Sequence, residues 1–373
     1  MDKIRKDIPN RKNGKVELYR FLFCIFVLLF HIQKYLLPPD KIKYKNDIHF
    51  TFFTHGSVAV EFFFLLSGFL MAKSIYKSRK LYPETCDKFK ASDGVIFLKK
   101  KYLSIFPQHI IAFIIVFISY LKVSNIDSFK EKVLALFDSI PNIFLIQMSG
   151  INFTNPNHIE WYISCMLIAM ALIYPLCKRF YINFTRYIAP ISAILIIGYM
   201  IFTTKSLTGV TSWTGLSYKS TLRAFAEISL GTTAFELSRY ISEKKFTASQ
   251  RITITVTEFI CFVFVVLYMV LSFVNKYELY ALIAMFLIIT ITFSSKTYGN
   301  KIFNNRVCCF LGKISLPIYL SQLGAINLVD KYFDKQSDVT KVLIAVFITF
   351  IFAFIVLIFG NLVAKLFNKK RTE

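Results

Sequence analysis

The 373-residue chain has no internal repeat, no low-complexity linker and no separate soluble domain. Its seven cysteines form no C-x-x-C, and no histidine stands beside them at ligand spacing, which argues against a metal or redox site. Acidic residues are scarce, 22 against 45 Lys and Arg, for a formal charge of +23. Nucleic acid is not the expected partner, because the basic residues cluster between apolar runs, in alternate loops. The stretch "MDKIRKDIPNRKNGK" lacks a small-residue cleavage site, so the apolar helix after it reads as retained rather than as a removed signal peptide.

What is abundant is apolar: 55% of residues are hydrophobic and Phe alone numbers 41. Apolar runs of about 18–25 residues have the length that a bilayer crossing needs. Ten spans are expected, at about 17–37, 57–76, 103–121, 159–177, 186–204, 220–238, 252–274, 278–294, 310–329 and 342–364. Roughly two-thirds of the Lys and Arg then fall on one side, which the positive-inside rule makes cytoplasmic, with both termini there. The expected fold class is all-α, a polytopic bundle in the cell (cytoplasmic) membrane. Residues 1–16 and 365–373 would be basic cytoplasmic tails around a membrane domain at 17–364. The basic inner stretches "KSIYKSRK" and "FLKKK" would lie against anionic headgroups. The segment "VLALFDSIPNIFLIQM" (133–148) is short and interrupted by Asp138 and Pro141. Counting it as a crossing would invert every later loop, so it reads as a re-entrant or interfacial helix on the outer face. Cys24, Cys165, Cys177 and Cys261 read as small apolar packing groups, and Cys308–Cys309 as reduced thiols of an inner loop.

Several polar residues interrupt this apolar pattern. In "VELYRFLFCIFVLLFHIQKYLL" (16–37), eleven positions at roughly 100° each put Arg20 and His31 on one helix face, about 16 Å apart along the axis. Glu17 falls on the same stripe, three residues before Arg20, where an ion pair is allowed. The stripe must face protein or a wet cavity, because lipid penalises charge. Arg20 could equally snorkel to the inner interface and His31 cap the outer end. In "SVAVEFFFLLSGFLMAKS" (57–74), Glu61 lies near the depth of His31 and should be paired or protonated, while Ser67-Gly68 suits a close helix contact. "FLKKKYLSIFP" (97–107) places Lys99–Lys101 at a helix start with Pro107 in its first turns, either as an anchor or as a grip for phosphate. "HIEWYISCM" (158–166) brings Glu160 and Trp161 to an outer mouth, suiting an interfacial anchor or a sugar site. In "STLRAFAEISLG" (220–231), Arg223 and Glu227 can pair at i, i+4, or Arg223 can face a substrate. Ser321, Gln322 and Asn327 form a polar stripe in "LGKISLPIYLSQLGAIN". Under one topology His31, Glu61, Glu160, Arg223 and Gln322 share the outer half, and Arg20 and the lysines the inner edge.

These six motifs, in this order, resemble the integral-membrane acyltransferase 3 family, over about residues 15–330. The "EWYIS" segment is closer to its polysaccharide acetyl- or succinyltransferase branch. The resemblance implies transfer of an acyl group, most commonly acetyl, from cytoplasmic acyl-CoA to a hydroxyl of a cell-surface or lipid-linked glycan. It implies no permanently bound cofactor, and acyl-CoA, the glycan acceptor and anionic lipids as partners. His31 corresponds to the family's essential first-helix histidine, here a general base whose ordinary pKa of about 6.5 suits proton transfer. Arg20 matches its partner arginine, and Lys101 the first position of a basic R-x-x-R pair. Arg20, Lys100 and Lys101, with Ser67 in mid-span, would hold the donor. Glu61 or Glu160 would orient His31 or bind sugar hydroxyls, and Trp161, Arg223 and Gln322 would bind the acceptor. The chain departs from the pattern at Ser104, where the second basic residue would stand, and at Ser321-Gln322, where the family often has His. Ten helices with a polar line also describe a glycan exporter, but no inverted repeat or broken helix pair supports that reading. A membrane sensor with a degenerate site is a third possibility.

Overall fold

A computed structural model describes residues 13–37, 53–81, 91–151, 155–215, 217–271 and 277–369. Most of the basic tails, Cys86 and part of the inner loop 77–102 lie outside these residues. Among the described residues, ten long helices follow one another: α1 (Gly14–Leu36), α2 (Ala59–Leu81), α3 (Ala91–Val123), α4 (Trp161–Arg179), α5 (Ala189–Thr204), α6 (Lys219–Glu243), α7 (Ala248–Val270), α8 (Glu278–Ser294), α9 (Arg306–Tyr332) and α10 (Asp338–Lys369). The chain is a polytopic membrane helix bundle, and eight of its helical stretches are long and apolar enough to cross a bilayer. The other two are α6 and α8. Helix α6 carries Arg223, Glu227, Glu236 and Arg239, and it packs against α2, α4, α5 and α8. A helix enclosed by other helices need not be apolar all round, because its charges face protein and not lipid. Helix α8 has 17 residues, about 25 Å, and packs between α2, α6 and α7.

Packing directions fix the threading. Helices α3 and α4 run antiparallel, joined by Lys178 with Asp93, Phe97 stacked on Tyr174, and His109 with Glu160. Helices α1 and α9 run parallel: Glu17 lies against Gly312, Cys24 bonds the Ser315 carbonyl, and His31 meets Gln322. Seven long helices separate this parallel pair, as alternating crossings require. One more crossing between them would make the pair antiparallel. The ambiguous stretch 133–148 accordingly forms two short helices, Phe129–Asp138 and Ile140–Ile143, each too short to cross. Leu134 and Phe137 are exposed on them, and Ala135, Ser139 and Asn142 are buried, as in a helix lying along an apolar boundary.

Three sequence expectations need correction. Helix α3 begins at Ala91, twelve residues before the apolar run, so Lys99–Lys101 lie within its third turn and not at its start. Backbone hydrogen bonding continues past the end of the apolar run, where hydropathy marks a boundary. Pro107 therefore sits in the helix interior, where it removes the N–H that would reach the Leu103 carbonyl. Cys308 and Cys309 belong to the first turn of α9, with Cys308 buried, and not to a loop.

Candidate active site

The seam between α1 and α9 brings the first-helix stripe against protein. Gly312 is required at its inner end, because a Cβ there would stand 2.1 Å from Glu17 Oε2. Arg20 donates from Nη1 to Glu17 Oε2 at 2.9 Å, the i, i+3 pair that the spacing allows, and its side chain keeps 27% exposure. At the outer end the His31 ring is buried, and its Nδ1 lies 3.3 Å from Gln322 Oε1. His31 thus faces another helix and does not cap the membrane surface. Tyr35, one turn further on, holds its ring at 21° to that of His31 with centroids 6.0 Å apart. Its hydroxyl is 2.7 Å from Nε2 of His158, which is exposed. An aromatic line therefore runs from His31 to the outer surface.

Around Gln322, α9 is held by the segment that precedes α4. Asn157 Nδ2 donates to the Leu320 carbonyl at 3.1 Å, and the Tyr319 hydroxyl bonds the Ile159 carbonyl. Within α9, Ser321 Oγ donates to the Pro317 carbonyl at 2.8 Å, and Gln322 Nε2 to the Tyr319 carbonyl at 3.0 Å. These bonds fix the wall that His31 touches.

Glu61 is paired, as its depth demands, but its partner is Arg223 and not His31. Arg223 Nη2 lies 2.9 Å from Glu61 Oε1, and Arg223 Nε lies 2.8 Å from Glu227 Oε1, with all three side chains buried. The guanidinium is thus shared between α2 and its own helix. Glu160 is likewise engaged inside the protein. Its Oε1 is 3.0 Å from Nδ1 of His109, its Oε2 accepts from Asn142 Nδ2 at 3.3 Å, and Nε2 of His109 is 3.0 Å from the Ile143 carbonyl. His109 escaped the sequence reading. The signal was a lone imidazole in the apolar run after Pro107, but nothing in a linear sequence names its carboxylate. Trp161 is buried with its ring centroid 6.1 Å from that of Phe64, so its face is turned inward.

On the inner side, Ser67 Oγ lies 3.2 Å from the Tyr162 hydroxyl and within reach of Met166 Sδ. Gly68 serves the close helix contact that its size suggests: an added Cβ would stand 1.9 Å from the Ile228 carbonyl oxygen. Lys101 is half-buried and close enough to Arg20 for the two positive charges to act on one another, while Lys99 and Lys100 are exposed. Ser104 turns its hydroxyl back to the Lys101 carbonyl at 2.7 Å. A half-buried lysine within electrostatic range of Arg20, which is itself paired with Glu17, suits an anionic ligand.

Comparison with known families finds one described as an acyltransferase domain, matching residues 13–358. A comparison with curated proteins and one with solved structures returned no match.

Proposed function

Because the chain belongs to this acyltransferase family and is a multi-pass membrane protein, we propose that it transfers an acyl group, most simply acetyl, from cytoplasmic acyl-CoA to a glycan hydroxyl on the outer side of the cell membrane. The observation that carries the reading is the single helix α1, which bears Arg20 near one end, within electrostatic range of Lys101 on α3, and a buried His31 near the other. An extended pantetheine arm is long enough for the roughly 16 Å of helix between those ends. Arg20 and Lys101 would take the donor phosphates, and Ser67 with Tyr162 would line the path of the arm. Exposed Lys99 and Lys100 would lie against anionic headgroups. The acceptor would reach His31 past Tyr35 and His158, as a saccharide of the polysaccharide-acylating branch.

In the reaction, neutral His31 takes the proton of the acceptor hydroxyl as that oxygen attacks the thioester carbonyl. The tetrahedral intermediate collapses with cleavage of the carbon–sulfur bond, and the leaving thiolate takes the proton back from the imidazolium. An O-acyl ester and CoA thiol result, with no net proton released. The test is His31→Ala at matched membrane levels, with thiol release from acetyl-CoA measured in the presence of a glycan acceptor. Release should fall to background. Retained release removes His31 from the mechanism.

A further inference from the structure

We infer that Gln322 is a positioning residue that holds His31 as the tautomer protonated on Nδ1, leaving Nε2 as the ring nitrogen that exchanges a proton with the acceptor hydroxyl. The second half rests on the acyl-transfer reading, and the first stands on geometry alone.

The argument starts from the Tyr319 carbonyl. A carbonyl oxygen only accepts, so the amide group 3.0 Å from it must be the NH₂ of Gln322. That orientation turns Oε1 of Gln322 toward His31, 3.3 Å from Nδ1. An amide oxygen also only accepts, so Nδ1 must bring the hydrogen. Flipping the amide would set two acceptor oxygens against each other at Tyr319, which the hydrogen-bond network forbids. A neutral imidazole carries one N–H, so with Nδ1 protonated the lone pair resides on Nε2.

The surroundings make this selection rigid. Gln322 is fully buried, and its helix is held at Leu320 by Asn157 and at Tyr319 by the Ile159 carbonyl. The His31 ring is confined between the edge of Gln322 and the rings of Phe30 and Tyr35. A fixed oxygen acceptor on one ring nitrogen is the device by which proteins set an imidazole's tautomer and orientation. Here the acceptor is neutral, so it selects the tautomer without adding a charge beside the ring.

The experiment uses full-length protein in detergent, labelled with ¹⁵N-histidine. The chain has five histidines, so loss of one set of ring signals in His31→Ala assigns His31. The wild-type ring should show a single Nδ1–H form. Gln322→Leu should give a mixture of tautomers, and Gln322→Glu, as a buried neutral carboxylic acid whose O–H donates to the Tyr319 carbonyl and whose C=O accepts from His31, should keep Nδ1 protonated. In parallel, Gln322→Leu should lower kcat about 10- to 100-fold, the effect usual for an outer-shell partner, with KM for acetyl-CoA within about twofold. Gln322→Glu should recover most of that kcat. An Nε2–H or mixed wild-type ring overturns the inference whatever the activity, and the wild-type spectrum needs no variant to fold. A tautomer unchanged in Gln322→Leu also overturns it. A single Nδ1–H form with no thiol release from wild-type protein sustains the tautomer and defeats the acyl-transfer reading.

Discussion

Arg223 reaches from α6 to place its Nη2 2.9 Å from Glu61 Oε1 on α2, while its Nε holds Glu227 one turn along its own helix. One buried cation therefore serves two buried carboxylates, and removing it leaves both stranded.

Arg223→Ala should consequently be among the most damaging single changes in the bundle. Breaking a buried pair by removing one partner costs about 3–5 kcal/mol, most of it the penalty of the uncompensated charge. Glu61→Gln keeps shape and removes one of the two negative charges, so it should cost only about 1 kcal/mol. Thermal unfolding of the detergent-solubilised variants orders them. Equal midpoints for Arg223→Ala and wild type would show that this guanidinium does not fasten α2 to α6.

The same helix pair depends on two glycines. An added Cβ on Gly68 would stand 1.9 Å from the Ile228 carbonyl oxygen, and one on Gly231 would stand 2.1 Å from that of Leu65. The obstacles are backbone atoms, which cannot swing aside. Gly68→Ala and Gly231→Ala should each lower stability by about 1–3 kcal/mol or more, as overpacking does. Gly198→Ala, where an added Cβ meets nothing within 4 Å, is the control and should not lower the midpoint and should raise it slightly, because alanine suits a helix interior better than glycine.

Donor binding should distinguish Lys101 from its neighbours. Lys101 is half-buried within electrostatic range of Arg20, and Lys99 and Lys100 are exposed. Lys101→Ala should raise KM for acetyl-CoA about tenfold, the loss of roughly 1.4 kcal/mol of charge-assisted contact, with kcat largely kept. Lys100→Ala should change it less than threefold, since an exposed ion contact is weak. Thiol-release kinetics in membranes read both. A larger effect at Lys100 would move the donor phosphates away from Arg20.

The membrane spans were legible because their signal is local: a bilayer demands unbroken apolar length, and loop charges report sidedness. The Arg20–Glu17 pair and the shared face of Arg20 and His31 were legible for the same reason, since helical period alone sets them. What the sequence left open were partners distant along the chain. Glu61 reads as a group at the depth of His31, but Arg223, on a helix 162 positions later, is what it meets. Glu160 reads as a sugar contact, but both its oxygens are engaged by His109 and Asn142. Glu258, inside an apolar span, drew no notice, and it is enclosed by Lys15, Tyr19 and Thr292 from two other helices. Each buried carboxylate announced that it needed a partner, and only tertiary packing decided which one.

The parallel seam of α1 and α9 has a consequence for biosynthesis. His31 and Gln322 are 291 positions apart. At about 5–20 residues per second, the first helix waits roughly 15–60 s at the ribosome before its counterpart is made. A chain that terminates early carries the histidine without the wall that orients it. On the proposed mechanism, competence for chemistry arrives only once α9 is made, so fragments that stop before it should be inert.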